Sequence, residues 1–173
     1  VFYPSQAGGT ANTVYWIVKN LAAHGIEPVV IATDKGLRGD VPRNKWTEFD
    51  WGEVIYVRTR FLRLPFFQTY TSLRNVLRAD IVHLSSIYFP TSLATAFAAF
   101  LTGKRLVWSV HGEVDVYTLK DSATQKQLVL WLVKKILRKY PTFHSTCDAE
   151  TVYIKNAFGD DVRIEQITNY FEV

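Results

Sequence analysis

Methionine is absent from these 173 residues, cysteine occurs once, and no apolar run is long enough to cross a bilayer. The chain lacks even an initiator methionine; it opens inside the apolar run "VFYP" and stops in the strand-like "QITNYFEV". It reads as a piece of a longer protein. The lone Cys147 excludes an internal disulfide and fits a reducing, cytoplasmic compartment. No signal peptide is visible. Three signatures are missing as well: G-x-G-x-x-G for dinucleotides, G-K-[ST] for a P-loop, and G-x-S-x-G for a serine nucleophile. There is no D-x-D pair and no second histidine at ligand spacing from His111, so a metal site built from His111, Glu113 and Asp115 finds no support, and no metal or cofactor is expected. Basic residues number 20 against 16 acidic ones, a net +4 that suits an anionic ligand or membrane surface but is too weak to demand nucleic acid.

What is present is an alternation. Val14, Ile17, Val18, Leu21 and Ala22 repeat with the period of a helix buried on one face, and Gly25 stands where such a helix ends. "PVVIAT" (28–33), "VIYVRT" (54–59), "DIVHLSS" (80–86), "RLVWSVHG" (105–112), "TFHSTC" (142–147) and "RIEQIT" (163–168) read as strands, joined by a further one at Val1–Tyr3. Helical patterns fill the gaps at 66–78, with Leu73, Val76 and Leu77 on one side, at 90–103, closed by Gly103, at 123–139, and at 148–159, with Asp148 as N-cap. Residues 34–52 read as a surface loop. Such alternation predicts an α/β fold, a Rossmann-like doubly wound parallel sheet of about seven strands with helices on both faces.

In such sheets ligands gather at the carboxyl ends of the strands. The residues placed there are Ser5, Gln6, Gly8, Gly9 and Thr10, then Thr33 and Asp34, then Arg58, Thr59 and Arg60. Ser85, Ser86 and Tyr88 follow, then His111, Gly112 and Glu113, then Thr146 and Asp148, and finally Asn169. Gly8 and Gly9 precede a helix N-terminus, whose unpaired amides and dipole favour an anion; a tight turn that binds nothing would carry the same pair. His111 ends a strand, where its imidazole can serve a ligand or merely cap its own strand. In "VRTRFLRLPFFQTYTSLRNVLR" (57–78) arginines interleave with aromatics. Either an interfacial segment on anionic lipid or a helix with a buried aromatic face and a solvated basic one fits; the second is the commoner case and is the expectation. Cys147 has no basic neighbour in sequence, so a buried or inert thiol is expected.

Taken together, the stretches "YPSQAGGTANTVYWIVKNLAAHGIEPVVIAT", "ADIVHLSS", "LVWSVHG", "STCDAETVYI" and "ITNYFEV" resemble, in order and spacing, the N-terminal domain of family 4 glycosyltransferases of the two-domain GT-B architecture. The chain departs from that pattern at Glu27 and Pro28, at Ser85 and Ser86, where a second histidine is usual, and at Tyr170, where glycine is usual. The resemblance implies one Rossmann-like, acceptor-side domain over residues 1–173, with the donor-binding C-terminal domain absent and little activity alone. It implies a retaining transferase that moves a sugar from a nucleotide-sugar to a glycan or lipid-linked acceptor, in polysaccharide or cell-envelope glycan synthesis. Gly8, Gly9 and Thr10 would then meet the donor diphosphate and His111 the donor sugar. On position alone, Arg58, Ser86, Tyr88 and Glu113 are candidates to line the acceptor path, with Asn169 elsewhere in the cleft. Work at the inner face of the membrane fits that scheme, without metal or nucleic acid.

Two other readings stay open. One is another nucleotide-binding module, with Asp34 holding a ribose after the second strand. The other is a non-catalytic lipid- or protein-binding domain using the basic aromatic stretch.

Overall fold

The computed structural model describes residues 2–5, 9–59, 65–115 and 124–169. The α/β class is as the pattern requires. In chain order the first elements are α1 (Gly9–Ala23), β1 (Val29–Thr33), β2 (Trp46–Phe49), β3 (Gly52–Val57) and α2 (Phe66–Val76). Then come β4 (Ile81–Leu84), α3 (Pro90–Thr102), β5 (Arg105–Ser109) and α4 (Thr124–Leu132), which runs on as a π-helical turn over Val133–Leu137. β6 (Thr142–Ser145), α5 (Asp148–Phe158) and β7 (Arg163–Gln166) complete the order. Among the described residues there are seven strands, but in two sheets, ordered β1-β3-β2 and β4-β5-β6-β7, rather than one. The chain divides into two compact units, Val1–Ser72 with Asn169–Val173, and Leu73–Thr168.

In the first unit β1 and β3 are parallel, from Val29 opposite Glu53 to Thr33 opposite Val57. β2 adds antiparallel to β3, from Trp46 opposite Ile55 to Phe49 opposite Gly52. This hairpin lies in the segment expected to be loop. Three of its four β2 residues are exposed, so it has no buried alternation for a sequence reading to detect. Its return residue, Gly52, sits at φ +134°, and a Cβ there would run into the Pro28 carbonyl oxygen. The strand expected at Val1–Tyr3 is not formed by its described residues. Phe2 is buried, but Tyr3 and Pro4 lie in a turn closed by the Ser5 amide donating to the Phe2 carbonyl at 2.9 Å. Pro4 has no N–H to give to a ladder. Val18, Ala32, Val54, Tyr56, Trp51 and Phe2 form the core of this unit, with Val14 and Ala22 packed against it.

The second unit is a parallel sheet throughout, with Ile81 opposite Arg105, Val107 opposite Thr142 and Thr142 opposite Arg163. α3 carries the chain from β4 to β5 and ends on Gly103 at φ +67°, whose amide donates to the Ala99 and Phe100 carbonyls. The core is built on a ring stack. Trp108 and Phe143 lie 6.4 Å apart, Phe143 and Phe158 4.8 Å, each pair within 11° of parallel. These three rings come from β5, β6 and α5, so one stack ties two strands to a helix.

Three local expectations are corrected. α2 is inverted: its buried residues are Gln68, Thr71, Ser72 and Val76, whereas Phe66 is 75% and Leu77 64% exposed, with Phe67, Tyr70 and Leu73 also outward. Leu73 and Leu77 therefore do not share the buried side with Val76. α5 is capped by Cys147 in extended conformation, with Asp148 as its first helical residue; the shift by one places Glu150, not Thr151, three residues beyond the cap. Cys147 is exposed, because it stands at that helix entrance and not in the strand before it.

Candidate functional site

The carboxyl ends of β4, β5 and β6 carry the polar residues of the second unit, and the β5 end is the most specialised. β5 gives way to the turn Val110–Glu113, closed by the Glu113 amide donating to the Val110 carbonyl at 2.9 Å. Both central residues are left-handed, His111 at φ +46° and Gly112 at φ +75°. Glycine accepts that conformation freely; for histidine it costs roughly 1–2 kcal/mol. Something must hold the turn. Glu150, buried in the first turn of α5, does so: its Oε1 accepts the Gly112 amide at 2.8 Å. Its Oε2 accepts the Thr146 amide at 2.7 Å and the Thr146 hydroxyl at 2.9 Å.

His111 Nε2 is buried and has no hydrogen-bond partner. Burial pushes this imidazole below its usual range; the nearby Glu150 carboxylate opposes that, and His144 adds to it. The ring is thus neutral near pH 7, with one nitrogen unserved. A buried polar atom without a partner is costly unless a ligand completes it.

Behind the turn, a hydrogen-bonded chain crosses the sheet. His83 Nε2 and Ser109 Oγ are 2.7 Å apart, Ser109 Oγ and His144 Nδ1 2.8 Å, and His144 Nε2 and the Ile167 carbonyl 2.9 Å. The carbonyl can only accept, so Nε2 of His144 carries hydrogen. Ser109 Oγ thus stands between the two rings, within hydrogen-bond distance of both. His83 is recessed among protein atoms while keeping an edge open to solvent. Burial first, then the charges of His144 and His111, lower it to about 4.

Beside the turn, Glu113 closes the loop after β4. Its Oε1 accepts the Ser86 hydroxyl at 2.8 Å and its Oε2 the Ile87 amide at 2.6 Å, with the Tyr88 amide donating as well. Burial outweighs these bonds and holds the carboxyl above its usual range. The Ser86 carbonyl takes the Trp108 indole N–H at 2.8 Å, anchoring the loop to the core stack. Tyr88 lies under Lys126, whose Nζ is 5.3 Å from the ring centre. Its hydroxyl is buried without a partner, and burial together with Glu113 raises it to about 12. Ser86, Tyr88, Glu113 and His111 thus come together in one unit, with Ser86 and Glu113 bonded to each other.

The remaining candidates lie in the first unit. Gly8 falls outside the described residues, as do Gln6 and Arg60. Gly9 opens α1, exposed, with nothing within 4 Å of where a Cβ would sit, and Thr10 follows, half-buried. The first turn of α1 holds no acidic residue of its own, which leaves the positive end of its dipole uncompensated from within the helix. Arg58 is exposed past the end of β3; its amide donates to Asn44 Oδ1 at 2.9 Å. Asp34, the residue available for a ribose, is engaged by the Thr59 amide at 3.0 Å and by Arg43 Nε at 3.3 Å. Asn169 is exposed beyond β7. Among the described residues no group of three His, Cys, Asp or Glu side chains could hold a metal ion, and no helix is long and apolar enough to cross a membrane.

Sequence reasoning passed over Glu150, His83, Ser109 and His144 as site residues. The first had one available signal, the cap at Cys147 that puts an acid at the third helical position. The other three are spread over strands, and only sheet register brings them into line.

A parallel α/β sheet of this order, with helices between its strands, is a fold of the Rossmann-like class. More narrowly, the chain belongs to the glycosyl transferase 4-like domain family, which matches residues 8–170. Among solved structures, the crystal structure of Anabaena Alr3699/HepE in complex with UDP shares the fold at TM-score 0.53 and 13% identity, over 85% of this chain and 45% of that one. The search of curated proteins finds no match.

Proposed function

We propose that the chain is the acceptor-side, N-terminal domain of a retaining GT-B glycosyltransferase. Its parent moves a sugar from a nucleotide-sugar to a glycan or lipid-linked acceptor at the cytoplasmic face of a membrane, in polysaccharide or cell-envelope glycan synthesis. The observation that carries the reading is the His111 Nε2, buried and unpartnered on a strained turn at the carboxyl end of β5. Family membership over residues 8–170 supports it, as does a fold shared with a protein crystallised with UDP.

In this scheme His111 hydrogen-bonds the donor sugar, and the family resemblance gives Gly8, Gly9 and Thr10 to the diphosphate, where backbone amides would stabilise the charge that builds on it. The bond from the anomeric carbon to the diphosphate oxygen breaks, and a bond to the acceptor oxygen forms on the same face. The acceptor proton passes to the departing diphosphate, so no protein base and no metal are required. Ser86, Tyr88 and Glu113 are the acceptor-path candidates of the second unit, and the resemblance adds Arg58 and Asn169 from the first. Glu113 acts through Ser86 and the loop it closes, since both its oxygens are already bonded within the protein.

Titration calorimetry with UDP, GDP and NAD tests the reading. Weak binding of a nucleoside diphosphate, unchanged by His111→Ala because the diphosphate lacks the donor sugar, is expected; NAD binding with neither diphosphate bound would assign a dinucleotide module instead. In the two-domain parent, His111→Ala is expected to lower turnover by roughly 100-fold.

The outward face of α2 favours a membrane-surface role alongside. Phe66, Phe67, Tyr70, Leu73 and Leu77 form an exposed apolar stripe flanked by Arg74 and Arg78. Such a face fits an anionic bilayer surface, where a lipid-linked acceptor would be found.

A further inference from the structure

We propose that Glu150 is the positioning residue of His111: its buried carboxylate captures the Gly112 amide, holds the left-handed turn, and ties the end of β5 to the end of β6 through Thr146. The inference rests on the assignment of His111 to the ligand site, but its geometry stands independently. Among the described residues, three hydrogen bonds reach this carboxylate, all from the two strand ends it bridges, at 2.7 to 2.9 Å. Its two oxygens divide the labour, one for the β5 turn and one for Thr146. The helix that carries it packs on the core stack through Phe158, so the anchor is rigid. A backbone pair at φ +46° and +75° is held where His111 alone would relax. The carboxylate also counts electrostatically. His111 is acted on by Glu150 from α5 and by His144 from β6, and it acts on His83 of β4. Of these partners only Glu150 favours the imidazolium. Glu150 therefore sets both where the ring stands and how readily it bears positive charge.

The test is Glu150→Gln, followed by NMR with the histidine rings and backbone amides labelled, in the absence of any ligand. A glutamine offers one oxygen and one NH2 group, so it cannot accept from both strand ends. Two results are expected in the folded variant. The His111 titration midpoint falls by about half a unit or more, because the opposing carboxylate is gone. Exchange of the Gly112 amide accelerates by about tenfold or more. A carboxylate that only stabilised the fold would lower the melting temperature and leave the His111 midpoint where it was; that outcome refutes the proposal. If the variant does not fold, the unmodified protein decides. A hydrogen-bond scalar coupling between the Gly112 amide nitrogen and the Glu150 side-chain carboxyl carbon must then be seen, and its absence refutes the proposal equally. Neither readout needs a nucleotide or a sugar. Failure here leaves the transferase reading standing, and failure of nucleotide binding leaves this one standing.

Discussion

Ser109 is a small residue with two demanding neighbours. Its hydroxyl lies within hydrogen-bond distance of a ring nitrogen of both His83 and His144, and replacing it with a methyl leaves both nitrogens without that partner. Ser109→Ala is expected to cost about 2 kcal/mol, read as a lower urea midpoint. The pH dependence has a definite sign. His83 is lowered from 6.5 to about 4, so between those values the unfolded chain binds a proton that the folded chain refuses. Its contribution is complete above pH 6.5 and is lost as pH falls toward 4. Because the ring keeps a solvent edge, the effect is about 1 kcal/mol, a few degrees in Tm. A His83→Gln variant should lose this part of the acid sensitivity; an unchanged Tm profile between pH 6.5 and 4 in that variant would show that the titration belongs elsewhere. At this scale the sequence was readable where a residue's place follows from its own strand, as for His111 just past the end of β5. It was silent on Ser109, an ordinary strand serine until register sets it between two imidazoles.

Elements show where periodicity informs and where it misleads. α1 and α3 were legible because their residues carry helical spacing and composition and their ends carry left-handed glycines, Gly25 at φ +77° and Gly103 at φ +67°. β2 was not, because an exposed edge strand needs no alternation. Its hairpin depends on Gly52, and Gly52→Ala is expected to cost about 2 kcal/mol or more, since both its φ and the Pro28 carbonyl oppose a side chain. A melting temperature equal to the parent's would show that the strand end moves aside. α2 has the composition of an amphipathic helix, and composition cannot say which face is inward. Its exposed aromatics predict co-sedimentation with vesicles containing anionic lipid, weakened by salt and lost in the pair Phe66→Glu and Leu77→Glu. Equal recovery of the pair and the parent would leave the stripe without a membrane role.

The molecule as a whole has two cores, one around Val54 and Tyr56 and one around the Trp108–Phe143–Phe158 stack. Phe143 stands between the other two rings, and Phe143→Ala is expected to cost about 3–5 kcal/mol, read by urea denaturation. A loss under 1 kcal/mol would mean that the stack closes over the gap. The sequence by itself determined the α/β class, six of the seven strands, both glycine-ended helices and the family, because each is written in a local pattern of burial, turn residues or motif order. Only the tertiary structure decided that the strands divide into two sheets, that α2 faces outward, and that Glu150 reaches the His111 turn. Those outcomes depend on contacts between residues far apart in the chain, and long-range packing is carried by no short window of sequence.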